Sequence, residues 1–299
     1  MSDVIVTEKT NSQTIDIDIS SSLDIVKMIN NEDLKVAVEI SKKLEDIAKA
    51  VDIISENFLK GGRLFYFGAG TSGRLGVLDA SECPPTYNTP YDMVQGIIAG
   101  GDTALRFAAE GAEDSVEFAK KDFDKAEITC NDTVVSISAS GNANYVAEIL
   151  NLAKNKNAKT IALTCNPNAK ISQIADLAIC IETGAEAITG STRMKAGTAQ
   201  KMVLNMLTTG AMVKIGKVYK NFMVDVRPTN IKLKDRAERI VAQIANCEAE
   251  KAKAVLESNG YSVKEAIIQI KYNYSFECAK AILKKHNGIL RKVFEEAEK

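Results

Sequence analysis

The sequence contains one histidine in 299 residues, His286 near the C-terminus. A catalytic triad built on histidine and a metal site of several histidines are therefore excluded. His286 stands in the run Lys-Lys-His-Asn-Gly, which is typical of the last turn of a helix. Any catalysis must rest on carboxylates, lysines, hydroxyls or backbone groups.

The six cysteines are scattered, and no two of them have Cys-x-x-Cys spacing. This pattern indicates the reduced thiols of a cytoplasmic protein rather than disulfides or zinc ligands. No cluster of metal ligands is evident elsewhere in the sequence. We expect neither a metal nor a cofactor. Cys83 directly follows Glu82 and could be a nucleophile, but the one histidine is far away in the sequence. We interpret Cys83 as a small packing residue.

The sequence also lacks any apolar run near the roughly 18 residues that a membrane-spanning helix needs. Its polar N-terminus has no apolar core of a secretory signal. The formal net charge is −1, and no basic stripe of the kind that binds nucleic acid stands out. We therefore expect a cytoplasmic protein whose partners include neither a membrane nor a nucleic acid.

What the sequence does contain is an alternation of apolar strands and helices. Strands are predicted at 63–67, 94–98, 133–138, 159–164 and 177–181. Helices are predicted at 31–60, 72–82, 102–109, 113–122, 143–156, 170–175 and 193–216. This alternation predicts an α/β fold, a three-layer sandwich with a central and mainly parallel sheet.

Only helices are predicted beyond residue 231, at 231–245, 248–258, 262–270 and 275–285. The composition therefore predicts a small all-helical C-terminal domain. We expect three parts: an N-terminal arm of residues 1–20, an α/β domain of residues 21–240 and the helical domain of residues 241–299.

The turn after the first strand reads Gly68-Ala-Gly-Thr-Ser-Gly-Arg-Leu-Gly76. Glycines let backbone N–H groups face an anion, and the N-terminus of the following helix adds partial positive charge. We predict that Thr71, Ser72 and Gly73 bind a phosphate. A titratable acid, Glu82, stands at the end of the predicted helix.

The same turn fits the Gly-x-Gly-x-x-Gly pattern of dinucleotide-binding folds. That fold needs an acidic residue about 20 positions further on, at the end of the second strand. The first acid after the predicted strand is Asp102, within a Gly-Gly-Asp turn. Since the hydroxyls of Thr71 and Ser72 suit a phosphomonoester better, we prefer the phosphate site to the nucleotide site.

A second strand ends in Ser136-Ile-Ser-Ala-Ser-Gly141, again before a helix. Taken alone, this run could be an ordinary turn between a strand and a helix. However, the carboxyl ends of parallel strands lie at one edge of a sheet, where ligands bind. We therefore expect Ser138, Ser140, Gly141 and Asn142 to bind the same phosphate as the first turn.

Two more clusters carry charge. Glu110-Gly-Ala-Glu-Asp114 either supplies a catalytic carboxylate or places acids at a helix start, where the helix dipole favours them. Ser191, Arg193 and Lys195 open a long helix and either bind an anionic group of a substrate or cap the helix.

Several segments together resemble the N-acetylmuramic acid 6-phosphate etherases, a family of sugar-phosphate lyases with the sugar isomerase (SIS) fold. The matching segments are 68–76, 79–86 with Ser-Glu-Cys-Pro-Pro, 110–114, 165–167, 189–201, 223–226 and Thr229-Asn230. The resemblance runs over nearly the whole chain. It implies a cytoplasmic homodimer that binds a small sugar phosphate.

The resemblance implies a carbon–oxygen lyase of the hydro-lyase type that cleaves the lactyl ether at C3 of N-acetylmuramic acid 6-phosphate. The products are D-lactate and N-acetylglucosamine 6-phosphate, in amino-sugar catabolism and peptidoglycan recycling. By motif, the catalytic acid corresponds to Glu82 and the second carboxylate to Glu113. This metal-independent acid–base chemistry requires one ionised and one protonated carboxyl group. The sequence does not separate the two roles, and Glu110 is the nearest rival of Glu113.

One departure from the family concerns the second loop. After Ser140-Gly141 the family usually has Arg-Thr-Pro, whereas this sequence has Asn142-Ala-Asn144. Because the threonine hydroxyl is missing, we expect backbone N–H groups, Ser138 or Asn142 to take its place.

Two other functions are compatible with these motifs. An aldose–ketose isomerase shares the fold and also moves the C2 proton, but it needs no acid at C3. A sugar-phosphate sensor similar to the vertebrate glucokinase regulatory protein would bind the sugar without turnover. Release of lactate distinguishes the lyase from both.

Overall fold

The computed structural model describes residues 5–226, 228 and 230–298. Five strands form one sheet: β1 (Leu64–Gly68), β2 (Val94–Ile98), β3 (Thr133–Ile137), β4 (Lys159–Thr164) and β5 (Leu177–Cys180). All neighbouring strands are parallel, in the order β2-β1-β3-β4-β5. Each strand lies within two residues of its predicted position, and the predicted α/β fold is confirmed.

The helices up to residue 214 are α1 (Ser22–Ser41), α2 (Leu44–Leu59), α3 (Gly70–Tyr87), α4 (Val116–Ala126), α5 (Asn144–Asn155), α6 (Lys170–Ile174) and α7 (Lys195–Lys214). The single helix predicted over 31–60 is wrong, because α1 begins earlier and ends before α2. Ser21 caps the start of α1 by accepting a hydrogen bond from the Asp24 N–H. The apolar pattern does not reveal the break between α1 and α2. The buried residues Ile40 and Ile47 are seven residues apart, and two turns of one continuous helix would give the same spacing.

The prediction that α3 ends at Glu82 is also wrong. The helix continues through Pro84 and Pro85 to Tyr87, and the Asn88 N–H donates to the Pro84 carbonyl at 2.9 Å. Each proline removes one N–H donor, and its ring crowds the carbonyl four residues earlier, which is why the sequence favours a stop before them. The Asn88–Pro84 hydrogen bond shows that the helical path nevertheless continues past both prolines.

The chain divides into two compact units. The first contains residues up to 81 and residues 92–208, and the second contains residues 82–91 and those from 209 onward. Each unit is a set of residues that contact one another more than they contact the rest of the chain. This division does not test the predicted domain boundaries at residues 20 and 240, which stay predictions.

The core of the first unit surrounds the sheet. Every residue of β1 and β3 is buried, as expected for central parallel strands with helices on both faces. Phe65, Phe67 and Val134 pack in one cluster with Ile149 and Leu150 of α5. This packing fixes the carboxyl ends of β1 and β3, from which the two predicted phosphate loops extend.

The second unit is helical and has its own core. Its helices are α8 (Ile231–Ala245), α9 (Ala249–Ser258), α10 (Val263–Tyr272), α11 (Phe276–Lys285) and α12 (Leu290–Ala297). Val241, Leu256, Ile267 and Phe294 belong to one buried cluster. The predicted helical C-terminal region is confirmed, but α12 and a short hairpin, β6 (Val218–Tyr219) with β7 (Phe222–Met223), were not predicted. Of the family motif Thr229-Asn230, Thr229 lies outside the described residues.

Candidate active site

The first loop is built by glycines that let β1 and α3 come close together. A Cβ atom on Gly73 would lie 2.6 Å from the Gly68 carbonyl oxygen, so no side chain fits there. Gly70 has a φ angle of +53°, which glycine adopts without steric cost. The start of α3, with its backbone N–H groups, therefore lies directly at the end of β1.

Ser72 stands in the first turn of α3 and is buried. Its hydroxyl donates to the Gln200 side-chain oxygen of α7 at 2.9 Å. Gln200 is almost completely buried, and its Nε2 has no hydrogen-bond partner among the described residues. The sequence gives no sign of this role, because a glutamine inside an apolar helix carries no local pattern.

The serines of the second loop act as acceptors toward their own backbone. The Ser138 hydroxyl accepts from the Gly141 N–H at 3.0 Å, and the Ser140 hydroxyl accepts from the Asn142 N–H at 3.3 Å. Because each hydroxyl is an acceptor in these bonds, its hydrogen remains able to donate to a ligand. The Asn142 side-chain oxygen accepts from the Lys170 N–H at 3.1 Å and so caps the start of α6.

The two loops line one cavity of about 310 Å³. Among its lining residues are five predicted site residues: Thr71, Ser72, Glu113, Ser138 and Ser140. Gly70, Ala139, Gly190, Thr192 and Glu8 complete its polar and small-residue walls. The predicted convergence of the loops thus occurs, and the cavity also includes two carboxylates, Glu113 and Glu8. The cavity has the hydroxyl donors and the helix start that a phosphate group needs.

An adjoining cavity of about 340 Å³ shares Ala69, Gly70 and Glu113 with the first. It also contains Glu110 and Arg74. Glu113 lines both cavities, whereas Glu110 lines only the second. Of the two rival carboxylates, Glu113 is therefore the one placed beside the serine loops.

The segment around Glu113 is not the helix that the sequence predicts over 113–122. Glu113 lies in a single 3-10 turn, Ala112–Asp114, after Gly111 with a φ angle of +71°. The helix α4 begins only at Val116, because Ser115 caps it by accepting from the Phe118 N–H at 3.1 Å. Both Glu110 and Glu113 are exposed to solvent.

Arg74 holds the chain that leads to these acids. Its guanidinium donates to the carbonyl oxygens of Ala104 at 2.8 Å, Leu105 at 3.0 Å and Phe107 at 3.3 Å. Three bonds from one rigid donor group fix the path of this segment. The sequence shows Arg74 only as a helix residue, so this role was not predicted.

We expect Arg74→Gln to loosen residues 102–114. Because bonds from a charged donor contribute about 1.5–3 kcal/mol each, amide hydrogen exchange in this segment should accelerate at least about tenfold. Hydrogen exchange followed by mass spectrometry measures this directly. Arg106→Gln is the matched control, since Arg106 is exposed in the same segment and makes no side-chain hydrogen bond within the described residues. Equal exchange in the two variants would contradict the role of Arg74.

The third predicted anion-binding segment is used by the protein itself. The Glu186 carboxylate accepts from the N–H groups of Lys195 and Ala196, both at 2.9 Å, and so caps α7. Burial raises the pKa of Glu186, and the two N–H groups act against that shift. Of the predicted residues here, Ser191 is partly buried and Arg193 is exposed, and neither lines the serine-loop cavity.

Lys195 points into the protein. Its ammonium group forms an ion pair with Glu32 of α1, and both side chains are only 3% exposed. Burial alone would raise the pKa of Glu32, but hydrogen bonds and charges from Lys195 and Lys35 lower it overall. The pair connects residues 163 positions apart, so no local pattern could have indicated it.

Glu82 is exposed on α3 and belongs to the second unit, while the neighbouring Cys83 is buried.

Nearby in the sequence, the buried Asp79 accepts hydrogen bonds from Tyr66 at 3.1 Å, Asn205 at 2.7 Å and Thr208 at 3.2 Å. Burial raises the pKa of Asp79 despite these bonds. This carboxyl group ties β1, α3 and α7 together.

Within residues 5–226, 228 and 230–298, no three histidine, cysteine, aspartate or glutamate side chains are placed to share a metal ion. No helix in the same part of the chain has the length and apolar character to cross a membrane.

Comparison with known proteins gives matches over the whole chain. Residues 46–154 match the glucokinase regulatory protein N-terminal SIS domain family, and residues 109–210 match the SIS domain family. A solved structure from Bacteroides fragilis, described as a phosphosugar isomerase involved in capsule formation, has a TM-score of 0.50 at 20% identity. It covers 65% of this chain and 91% of that chain. This likeness concerns the fold alone.

Two bacterial relatives are similar from end to end. An N-acetylmuramic acid 6-phosphate etherase of Clostridium botulinum (strain Okra) is 53% identical over 294 residues, which are 98% of this chain and 97% of the relative. The protein of that name from Bacillus subtilis (strain 168) is 52% identical over 97% of this chain and 95% of the relative. Identity at this level over nearly the full length of each match establishes the family, and the predicted resemblance is confirmed. The chain belongs to the N-acetylmuramic acid 6-phosphate etherase family.

Proposed function

We propose that the protein cleaves the lactyl ether at C3 of N-acetylmuramic acid 6-phosphate and releases D-lactate and N-acetylglucosamine 6-phosphate. The observation that carries the proposal is the cavity in which two serine loops meet Glu113. Full-length relatives that bear the name of this activity support it. The reaction belongs to amino-sugar catabolism and peptidoglycan recycling in the cytoplasm.

In this proposal the phosphate binds to the serine loops. The hydroxyls of Thr71, Ser138 and Ser140 donate to its oxygens, as do the N–H groups at the starts of α3 and α5, among them the backbone N–H of Ser72. The Ser72 hydroxyl itself donates to Gln200. The backbone of Gly73 and Gly141 belongs to the same two loops. Asn142 contributes the N–H groups of its side-chain amide, because its side-chain oxygen accepts from the Lys170 N–H and its backbone N–H donates to Ser140. The sugar then extends toward Glu113, which stands where the two cavities join.

The chemistry follows from the position of the ether. In the open-chain sugar C1 is an aldehyde, so the C2 proton is acidic and the C3 ether oxygen is in the β position. Glu113 takes the C2 proton, electrons move to expel the C3 oxygen, and Glu82 protonates that oxygen as D-lactate leaves. Water then adds at C3 of the unsaturated aldehyde, and a proton returns to C2. This acid–base sequence balances without a metal, so a chelator should leave the rate unchanged.

The remaining roles rest less on the lining of the serine-loop cavity. Glu82 is assigned as the acid by its motif, Ser-Glu-Cys-Pro-Pro. Ser191 and Arg193 are assigned to the lactyl carboxylate or a neighbouring phosphate, because they adjoin the cavity residue Thr192. Lys195 is left out of this assignment, because its ammonium group is paired with Glu32.

We also propose that two chains form a homodimer. Ile19, Leu23, Leu34 and Val38 are exposed apolar side chains on the arm and α1. A second copy of the chain would remove this apolar surface from water. Sedimentation equilibrium should give twice the 32.4 kDa mass of one chain, and a mass of 32.4 kDa would refute the dimer.

The experiment that tests the function is release of D-lactate from N-acetylmuramic acid 6-phosphate in D₂O. Lactate together with deuterium at C2 of the sugar product supports elimination followed by hydration. Binding of the substrate without lactate release would favour a sensor. Conversion of an aldose phosphate to a ketose phosphate without lactate would favour an isomerase.

A further inference from the structure

The N-terminal arm places a second carboxylate, besides that of Glu113, at the serine-loop cavity. Glu8 lines this cavity together with Ser72, Ser138, Glu113 and Thr192. The Glu8 side chain makes no ion pair and no side-chain hydrogen bond within the part of the chain that the structure describes. A carboxylate without a partner beside hydroxyl-rich loops is available to accept hydrogen bonds from a ligand.

The arm is fixed at this position by buried contacts. Thr7, directly before Glu8, is completely buried. The Asn11 side chain donates to the Ala185 carbonyl at 3.2 Å, and the Thr14 hydroxyl donates to the Ala187 carbonyl at 2.8 Å. These carbonyls belong to the segment that continues to Gly190 and Thr192 in the cavity wall. The arm and the wall are therefore held together.

Gly190 leaves room for the carboxylate. Its φ angle is +75°, and a Cβ atom there would lie 3.0 Å from Oε2 of Glu8. Any larger residue at position 190 would therefore push against the Glu8 side chain. The space at Gly190 and the buried anchor at Thr7 are two independent features that favour the observed place of Glu8.

We infer that Glu8 is a sugar-binding residue of this cavity. The inference rests on the proposed function, because it takes the phosphate of an N-acetylated amino sugar as the ligand of the serine loops. A carboxylate repels the phosphate and attracts hydrogen-bond donors. Glu8 therefore accepts from the hydroxyl or acetamido N–H groups of the sugar, while the loops hold the phosphate. It selects a sugar phosphate over a bare phosphate.

The test compares two ligands by calorimetry, N-acetylglucosamine 6-phosphate and inorganic phosphate. Glu8→Gln should weaken binding of the sugar phosphate at least about tenfold and leave inorganic phosphate no weaker, because only the sugar donates to Glu8. Glu8→Ala should show the same selective loss. Asp18→Asn is the matched control, since Asp18 is an exposed acid of the arm that does not line the cavity. With the natural substrate, KM should rise in Glu8→Gln and kcat should be kept.

An equal loss for both ligands, or unchanged sugar-phosphate binding, would overturn the role of Glu8. Failure of the proposed function gives a different result. If the unaltered protein binds N-acetylglucosamine 6-phosphate but releases no lactate, the lyase proposal fails while the comparison of ligands still decides the role of Glu8. If the unaltered protein releases lactate but does not bind N-acetylglucosamine 6-phosphate, the lyase proposal stands and the role of Glu8 is overturned.

Discussion

Glu113→Gln should lower the rate of lactate release by about 10²–10⁴-fold, the usual contribution of a positioned acid or base. The substitution keeps the size of the side chain and removes only its ability to take a proton. Glu113 lines both the serine-loop cavity and its neighbour, so it is placed beside the path along which a phosphate-anchored sugar would extend. The measurement is kcat for lactate release, and substrate binding should be nearly unchanged.

Glu110→Gln is the matched control for this prediction. Glu110 is an exposed glutamate three residues earlier, and it lines the neighbouring cavity without lining the serine-loop cavity. We expect it to keep most of the activity. The reverse result, with Glu110→Gln inactive and Glu113→Gln active, would transfer the role of base to Glu110.

The roles of the two proposed catalytic carboxylates can be separated by deuterium exchange at C2 of the substrate. A base variant should neither exchange the C2 proton nor release lactate. Glu82→Gln, which removes the acid, should lose lactate release but still exchange the C2 proton when proton removal is reversible. Exchange lost in Glu82→Gln and kept in Glu113→Gln would mean that the assignments must be swapped.

The second large effect concerns stability. Glu32→Gln should lower the free energy of unfolding by about 3–5 kcal/mol, because it leaves the buried Lys195 ammonium without its anion. Urea unfolding measures this change. Glu39→Gln is the control on the same helix, since Glu39 pairs with Lys42 at 2.7 Å in a solvent-exposed pair worth about 0–1 kcal/mol. If both variants lose the same stability, the buried pair does not support the fold in the way we infer.

A double variant and a pH series sharpen the same test. Glu32→Met combined with Lys195→Met should regain most of the lost stability, because no unpaired charge remains.

The folded-state pKa of Glu32 lies below its ordinary value of 4.5. Its ionised form therefore stabilises the protein above pH 4.5, and this contribution is lost as the pH falls through the lowered pKa. The difference between the unaltered protein and Glu32→Gln should accordingly shrink in acid.

The sheet and its two loops could be predicted from the sequence because their causes are local. Apolar runs such as Leu64–Gly68 form buried strands, and the glycines and serines that follow them allow only a tight turn into a helix. The surroundings of Lys195 could not be predicted, since Glu32 and Glu186 reach it from other parts of the chain. The motif places Lys195 at the start of a helix, but in the folded chain its ammonium group is buried against Glu32. Gln200 was missed for the same reason, because its partner Ser72 is 128 positions away.

The Glu186 cap of α7 has a consequence for how the site behaves before substrate arrives. An anion that belongs to the chain itself is present at a very high effective concentration, so free phosphate in the cell cannot compete for this helix end. The partial positive charge of α7 is already neutralised, whereas the starts of α3 and α5 remain available to a phosphate. The helix that carries Gln200 is therefore held in place whether the cavity is empty or full. A new substrate meets a Ser72 that is already oriented, and less of its binding energy is lost in arranging the loop.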